Sequence, residues 1–191
     1  MNQIELNLQE ASHGRGTITR TQLLTFLENL RFERILTFVH LPCLDFGSER
    51  VTGVTSSNKA GKAQESDGIG REECQDILLL LHKKGVRKII ELIVEDNQNL
   101  PHKDTVIAHL GTFDVEIFNW KKLDLCTETI YQAAPNAKTI FLYSSGNNAV
   151  LRSWSAADGL ANFKKVCTHL RISPRVLWKL IFTITPPSLI K

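Results

Sequence analysis

KIIELIVEDNQNLPHKDTVIAHLGTFDVEIFNWKKLDLCTETIYQAAPNAKTIFLYS, residues 88–144, carries the pattern that decides the fold. Three short runs in it are rich in branched and aromatic residues: KIIELIVE (88–95), VEIFNW (115–120) and TIFLYS (139–144). Each alternates in hydropathy and reads as a strand. Helical patterns separate them. Pro101 suits a first helical turn, and Val106, Ile107 and Leu110 share one face beyond it. Asp124 can cap a helix whose inner face is Cys126, Ile130, Ala133 and Ala134, and Pro135-Asn136 ends it. Strands alternating with helices imply a parallel sheet, because parallel neighbours need a crossover connection.

The strands also recur. The sets Ile90/Leu92/Val94, Val115/Ile117/Asn119 and Ile140/Leu142/Ser144 follow one another at a constant interval. A strand plus a helix every ~25 residues falls in the range of leucine-rich repeats, and Asn97 and Asn147 follow their strands where such repeats place an Asn. An open doubly wound sheet alternates in the same way. The expectation is an α/β fold: a parallel sheet of strand-helix units of about 25 residues, leucine-rich-repeat-like or open doubly wound.

Outward from this centre the pattern continues. Cys74, Ile77, Leu78 and Leu81 form a helical face, with His82-Lys83-Lys84 in the last turn and Gly85 at the C′ position. RILTFVH (34–40) reads as a strand that Pro42 ends. Thr19 and Gln22 have capping-box spacing before Leu23, Phe26, Leu27 and Leu30. Residues 149–162 read as a weaker helix interrupted by Gly159. Residues 1–18 read as a disordered N-terminus. Residues 47–70 hold almost no large apolar side chain and read as a disordered insertion in a domain spanning 19–165. Residues 166–191 read as a divergent apolar tail.

Composition bounds the function. The 191 residues are 42% hydrophobic and 23% charged, which suits one globular domain. The net charge of +3, from 23 basic and 20 acidic residues, is too small to argue for nucleic acid or a membrane surface. No signal peptide or apolar span is evident, so the expected location is cytoplasmic. Cys43, Cys74, Cys126 and Cys167 lack CxxC spacing, so no metal is expected. Cys74 and Cys126 are read as buried free thiols on helix faces.

Catalytic residue types are present without catalytic spacing. Ser144, Ser145, His102, His109, Asp96 and Asp104 supply the types of a triad, but Tyr143-Ser144-Ser145-Gly146 lacks the first glycine of a nucleophile elbow. His102 and His109 fall on one face of one expected helix, where they are read as solvent-facing. Gly68-Ile69-Gly70-Arg71 and Ser145-Gly146-Asn147-Asn148 are weak phosphate-loop candidates, and the latter is read as a turn. The basic run 82–88 is read as complementing a helix C-terminus. No catalytic residue and no cofactor are expected. Ligands of parallel α/β proteins meet the carboxyl ends of the strands. The candidate partner-binding surface is therefore Glu95, Asp96, Trp120, Tyr143, Ser144 and Asn147.

The runs EECQDILLLLHKKGVRKIIELIVEDNQNLPHKDTVIAHLGTFDVEIFNWKKLDL and AAPNAKTIFLYSSGNNAVLRSWS resemble a region of large fungal intracellular proteins. In many of those proteins the region precedes a subtilisin-like serine peptidase domain. Asp124-Leu125-Cys126, Ala134-Pro135-Asn136 and Leu142-Tyr143-Ser144-Ser145-Gly146-Asn147-Asn148 carry the resemblance, which covers roughly residues 20–165. The peptidase Asp, His and Ser blocks are missing here. The resemblance implies a non-catalytic accessory module that binds a protein partner, with a peptidase fragment as one alternative and a small nucleotide- or anion-binding domain as another. The departure after Lys165 reads as truncation or a lineage-specific tail.

Overall fold

Six parallel strands stand in chain order: β1 (Glu5–Asn7), β2 (Ile35–Leu41), β3 (Lys88–Val94), β4 (Asp114–Trp120), β5 (Thr139–Ser144) and β6 (Cys167–Ile172). The structure, a computed structural model, describes residues 2–9, 19–44, 46, 70–163 and 167–172. Helices α1 (Arg20–Asn29), α2 (Glu73–Lys83), α3 (Asp104–Ala108), α4 (Thr127–Ala133) and α5 (Asn148–Ser155) alternate with the strands. The fold is α/β with a parallel sheet, as the hydropathy pattern implies. α1 packs on α2, and α3 packs on α4.

The inward residues form ladders. Leu36, Ile89 and Val115 are in register, then Val39, Leu92 and Phe118, then Leu41, Val94 and Trp120. All nine are buried. Fully burying such side chains contributes about 1.5–3 kcal/mol each. β2, β3 and β4 share one irregularity: two residues that are not buried, such as Ile90 and Glu91, separate the first inward residue from the second. Because all three strands take it at the same register position, the pairing is kept. The inward sets are therefore Ile89/Leu92/Val94, Val115/Phe118/Trp120 and Ile140/Leu142/Ser144. Ile90, Ile117 and Asn119, expected among the alternating sets, lie on the other face.

The constant interval of the sequence pattern is not kept in the register. Lys88 lies opposite Asp114, Ile117 opposite Thr139, and Thr139 opposite Cys167, so the step along the chain shortens from β4 to β5 and lengthens again to β6. Connections of different length set the difference. A 3-10 turn, His109–Thr112, follows α3, whereas α4 leads to β5 through a short turn at 134–138.

Two boundaries move. Residues 5–7 are not a loose terminus but the first strand, because Leu6 and Leu8 alternate with polar neighbours and are buried. The sheet also continues past Lys165, since β6 pairs along the whole of β5. The expected insertion at 47–70 lies outside the described residues except for Gly70, and so do residues 173–191 of the apolar tail.

Local chemistry explains the helix ends. Thr19 and Gln22 form the reciprocal capping box of α1. Gly85, at φ +93°, closes α2 in a Schellman arrangement: its amide donates to His82 O, and the Val86 amide donates to Leu81 O. The basic run is spent on these ends. Lys84 Nζ donates to Glu28 O and Leu30 O, each at 2.7 Å, and Arg87 Nη1 donates to His82 O at 2.8 Å.

Candidate functional site

Beyond β3, Asp96 collects the donors of its own loop and of the next strand. The Asn97 amide donates to it at 2.8 Å, the His102 amide at 3.1 Å, and Trp120 Nε1 at 2.8 Å from the end of β4. His102 Nδ1 lies 2.9 Å from Asp96 Oδ1, so with a carboxylate partner this nitrogen carries the proton. The His102 and Trp120 rings meet edge to face at 5.4 Å. Both the Asp96 and His102 side chains are 1% exposed. Burial pushes the Asp96 carboxyl up, but hydrogen bonds from His102 and Trp120 outweigh it and hold the group below its ordinary value.

The network runs on toward β2. His102 Nε2 is buried without a hydrogen-bond partner among the described residues and lies 3.9 Å from Glu73 Oε2. Arg71 Nε donates to Glu73 at 3.3 Å, and Arg71 Nη1 reaches Cys43 Sγ at 2.9 Å. Burial alone would lower the Arg71 pKa, but Cys43 and Glu73 overcome it and leave the group raised. Backbone bonds from the Arg71 amide to Pro101 O and from the Lys103 amide to Arg71 O stitch these loops together.

A second carboxylate repeats the device one strand along. Asp124 takes φ +56°, and its Oδ1 accepts from Ser144 Oγ at 3.3 Å and from the Ser145 amide at 2.9 Å. Ser145 Oγ donates to Oδ2. Gly146, at φ +89°, donates its amide to Ser144 Oγ. Asp124 is thus not the cap of α4. Cys126 is, accepting from the Thr129 amide through Sγ. That position leaves Cys126 exposed rather than buried, whereas Cys74 is a buried free thiol held protonated by desolvation.

The six residues expected to form a partner surface divide. The side chains of Asp96, Trp120 and Ser144 are buried. Glu95 is 35% exposed and pairs with Lys121. Tyr143 is half-buried and donates its hydroxyl to Asn119 Oδ1 at 2.7 Å. Asn147 is exposed and caps α5 by accepting from the Ala149 amide. His102 precedes α3 and is buried rather than solvent-facing, and His109 sits in the 3-10 turn. Asp104 bonds Lys122 and Thr129. Asn97, like Asn147, closes a turn, accepting from the Asn99 amide at 2.9 Å.

The accessible chemistry lies on the other face of the sheet. Phe38, Ile93 and Ile117 are half-exposed at its centre. At the amino end of the strands, Lys88 pairs with Asp114 and Glu116, and Lys138 pairs with Glu116. At the carboxyl end stand the Glu95–Lys121 pair and the Asn119–Tyr143 bond. The hydropathy pattern singles out neither Phe38 nor Ile93 and sets Ile117 among the alternating residues, because the shared irregularity breaks strict alternation at Phe38 and Ile117. No group of three or more His, Cys, Asp or Glu side chains able to hold a metal ion occurs among the described residues. No helix among them is long and apolar enough to cross a membrane.

No protein-family model matches the chain, and no curated protein or solved structure is significantly similar to it.

Proposed function

We propose that this chain is a non-catalytic protein-binding module that uses the half-exposed face of its sheet. One observation carries the reading: Phe38, Ile93 and Ile117 are half-exposed on this face, interleaved in register with Glu91, His40 and Asn119, and the ion pairs of Lys88, Glu116 and Lys138 at one end and Glu95–Lys121 at the other make charged rims. Apolar side chains set among polar ones within a charged rim suit a protein interface. The strands follow chain order with no reversal. That order supports stacked strand-helix units over a doubly wound sheet, which reverses at a switch point. Stacked units give an extended binding face. In a protein of the subtilase-bearing kind that the central stretch resembles, such a face would hold a partner and leave the chemistry to another domain.

The buried Asp96–His102 pair fits this reading. A catalytic base must reach the proton it takes, and His102 Nε2 is sealed from solvent. The test is affinity capture with the full chain, followed by titration of the purified partner. Ile117→Asp should weaken binding by about tenfold or more, as central apolar anchors do. Leu79→Asp, on the exposed side of α2, should leave binding unchanged. Equal affinity for the wild type and Ile117→Asp, with both folded by circular dichroism, overturns the reading.

A further inference from the structure

A groove of about 680 Å³ opens on the helical side of the molecule, between the first half of α4 and the segment that follows α5. Its lining includes Glu128, Asp158, Tyr131, Phe163, Thr127 and Ser153. Tyr131 is 55% exposed, and its ring meets the largely buried Phe163 edge to face at 5.5 Å. Thr127 and Ser153 join their hydroxyls across the groove at 3.2 Å. Glu128 and Asp158 are exposed, and neither is ion-paired to a described residue. Among the described residues no lysine or arginine lines the groove.

We propose that this groove binds a lysine or arginine side chain presented by a basic segment of a protein partner. The two carboxylates supply the countercharge. The exposed Tyr131 ring supplies an aromatic surface over which a cation is attracted by the ring quadrupole. The hydroxyls of Thr127 and Ser153 supply neutral acceptors for the remaining N–H groups. Among the described lining residues an acidic segment would meet carboxylates and no positive charge. Glu128 has a second role, since it lies in the first turn of α4 and complements that helix end. Asp158 has no such role, so it isolates the recognition. The groove does not depend on the sheet face, and a variant that loses one site should keep the other.

The probe is acetyl-Gly-Gly-Arg-Gly-Gly-amide, titrated into the isotopically labelled full chain and followed by amide chemical shifts. The expected shifts centre on Glu128, Tyr131, Ser153 and Asp158, and the glutamate version of the peptide should give none. Tyr131→Ala should weaken the peptide about two- to fivefold, the range of an exposed cation–π contact. Asp158→Asn should weaken it by a similar factor at low salt, and raising the salt should remove the difference. Both positions are exposed; Tyr131→Ala gives up its edge-to-face contact with Phe163 whereas Asp158→Asn gives up no packing, and Ile117→Asp should leave the peptide affinity unchanged. Absence of shifts at millimolar arginine peptide overturns the proposal. So does equal binding of the glutamate peptide, or affinity unaffected by both Tyr131→Ala and Asp158→Asn.

Discussion

Asp96 and Asp124 occupy equivalent places on successive units and do the same work in different surroundings. Each follows a strand and ties its own loop to the end of the next strand: Asp96 to Trp120, Asp124 to Ser144 and Ser145. Around Asp96 the donors are a histidine ring, an indole and two amides, and the side chain is 1% exposed. Around Asp124 the donors are two serine hydroxyls and an amide, and Ser145, which supplies two of the three, is exposed. The difference teaches that burial, rather than the number of hydrogen bonds, sets what such a clamp contributes. A buried donor that loses its acceptor keeps its full desolvation cost, whereas an exposed one turns to water.

Asp96→Ala should show the larger side of that contrast. It strands His102 Nδ1–H and Trp120 Nε1–H in the interior, and a buried donor left unsatisfied costs about 1–3 kcal/mol each. Urea unfolding of the two proteins gives the value directly, and a loss below about 1 kcal/mol would mean that solvent reaches this network. The clamp should also be acid-sensitive. Asp96 is held below its ordinary value in the folded state. Its stabilisation is therefore present above the unfolded carboxyl pKa of about 3.9 and is lost as pH falls below it. Melting temperatures followed into acid should fall more steeply for the wild type than for Asp96→Asn, and parallel curves would assign the acid limb to other carboxylates.

Trp120→Phe separates the hydrogen bond from the packing. The ring volume is largely kept, and the bond from indole to carboxylate is removed. Bonds to a charged group contribute about 1.5–3 kcal/mol, so the variant should fall between Asp96→Ala and any change at Asp124. Asp96→Leu/Trp120→Phe should recover only the indole's share of the loss, because His102 Nδ1 still lacks its acceptor.

The contrast also explains what the sequence made legible. Strands and helices were readable because β3, β4 and β5 alternate in hydropathy between clear stops such as Gly85 and Pro135. The capping box at Thr19 and the C′ glycine at Gly85 were readable because their chemistry is local. The burial of the strand-end residues was not. Asp96, Trp120 and Ser144 look like accessible polar or aromatic groups at strand ends, and only tertiary contact shows that each is paired inward. The shared irregularity at Ile90–Glu91 and Glu116–Ile117 moved the inward set by one residue, and a strict period of two cannot report that. β1 was missed because so short a strand between polar stretches gives little pattern, although Leu6 and Leu8 have the right spacing.

At the exposed clamp the expected effects are smaller. Asp124→Ala removes the acceptor and places an alanine at φ +56°. The left-handed conformation alone costs an ordinary residue about 1–2 kcal/mol, so a loss of that order is expected in urea. Asp124→Asn should cost less than about 0.5 kcal/mol, in the range of surface substitutions that disturb no special feature. Asparagine tolerates the left-handed region and keeps an oxygen for the Ser145 amide. What it loses is the charge and the second acceptor for Ser145 Oγ, whose hydroxyl can turn to accept instead. A loss in Asp124→Asn as large as in Asp124→Ala would show that the turn depends on charge. The ranking of the two clamps by burial would then fail at its exposed end.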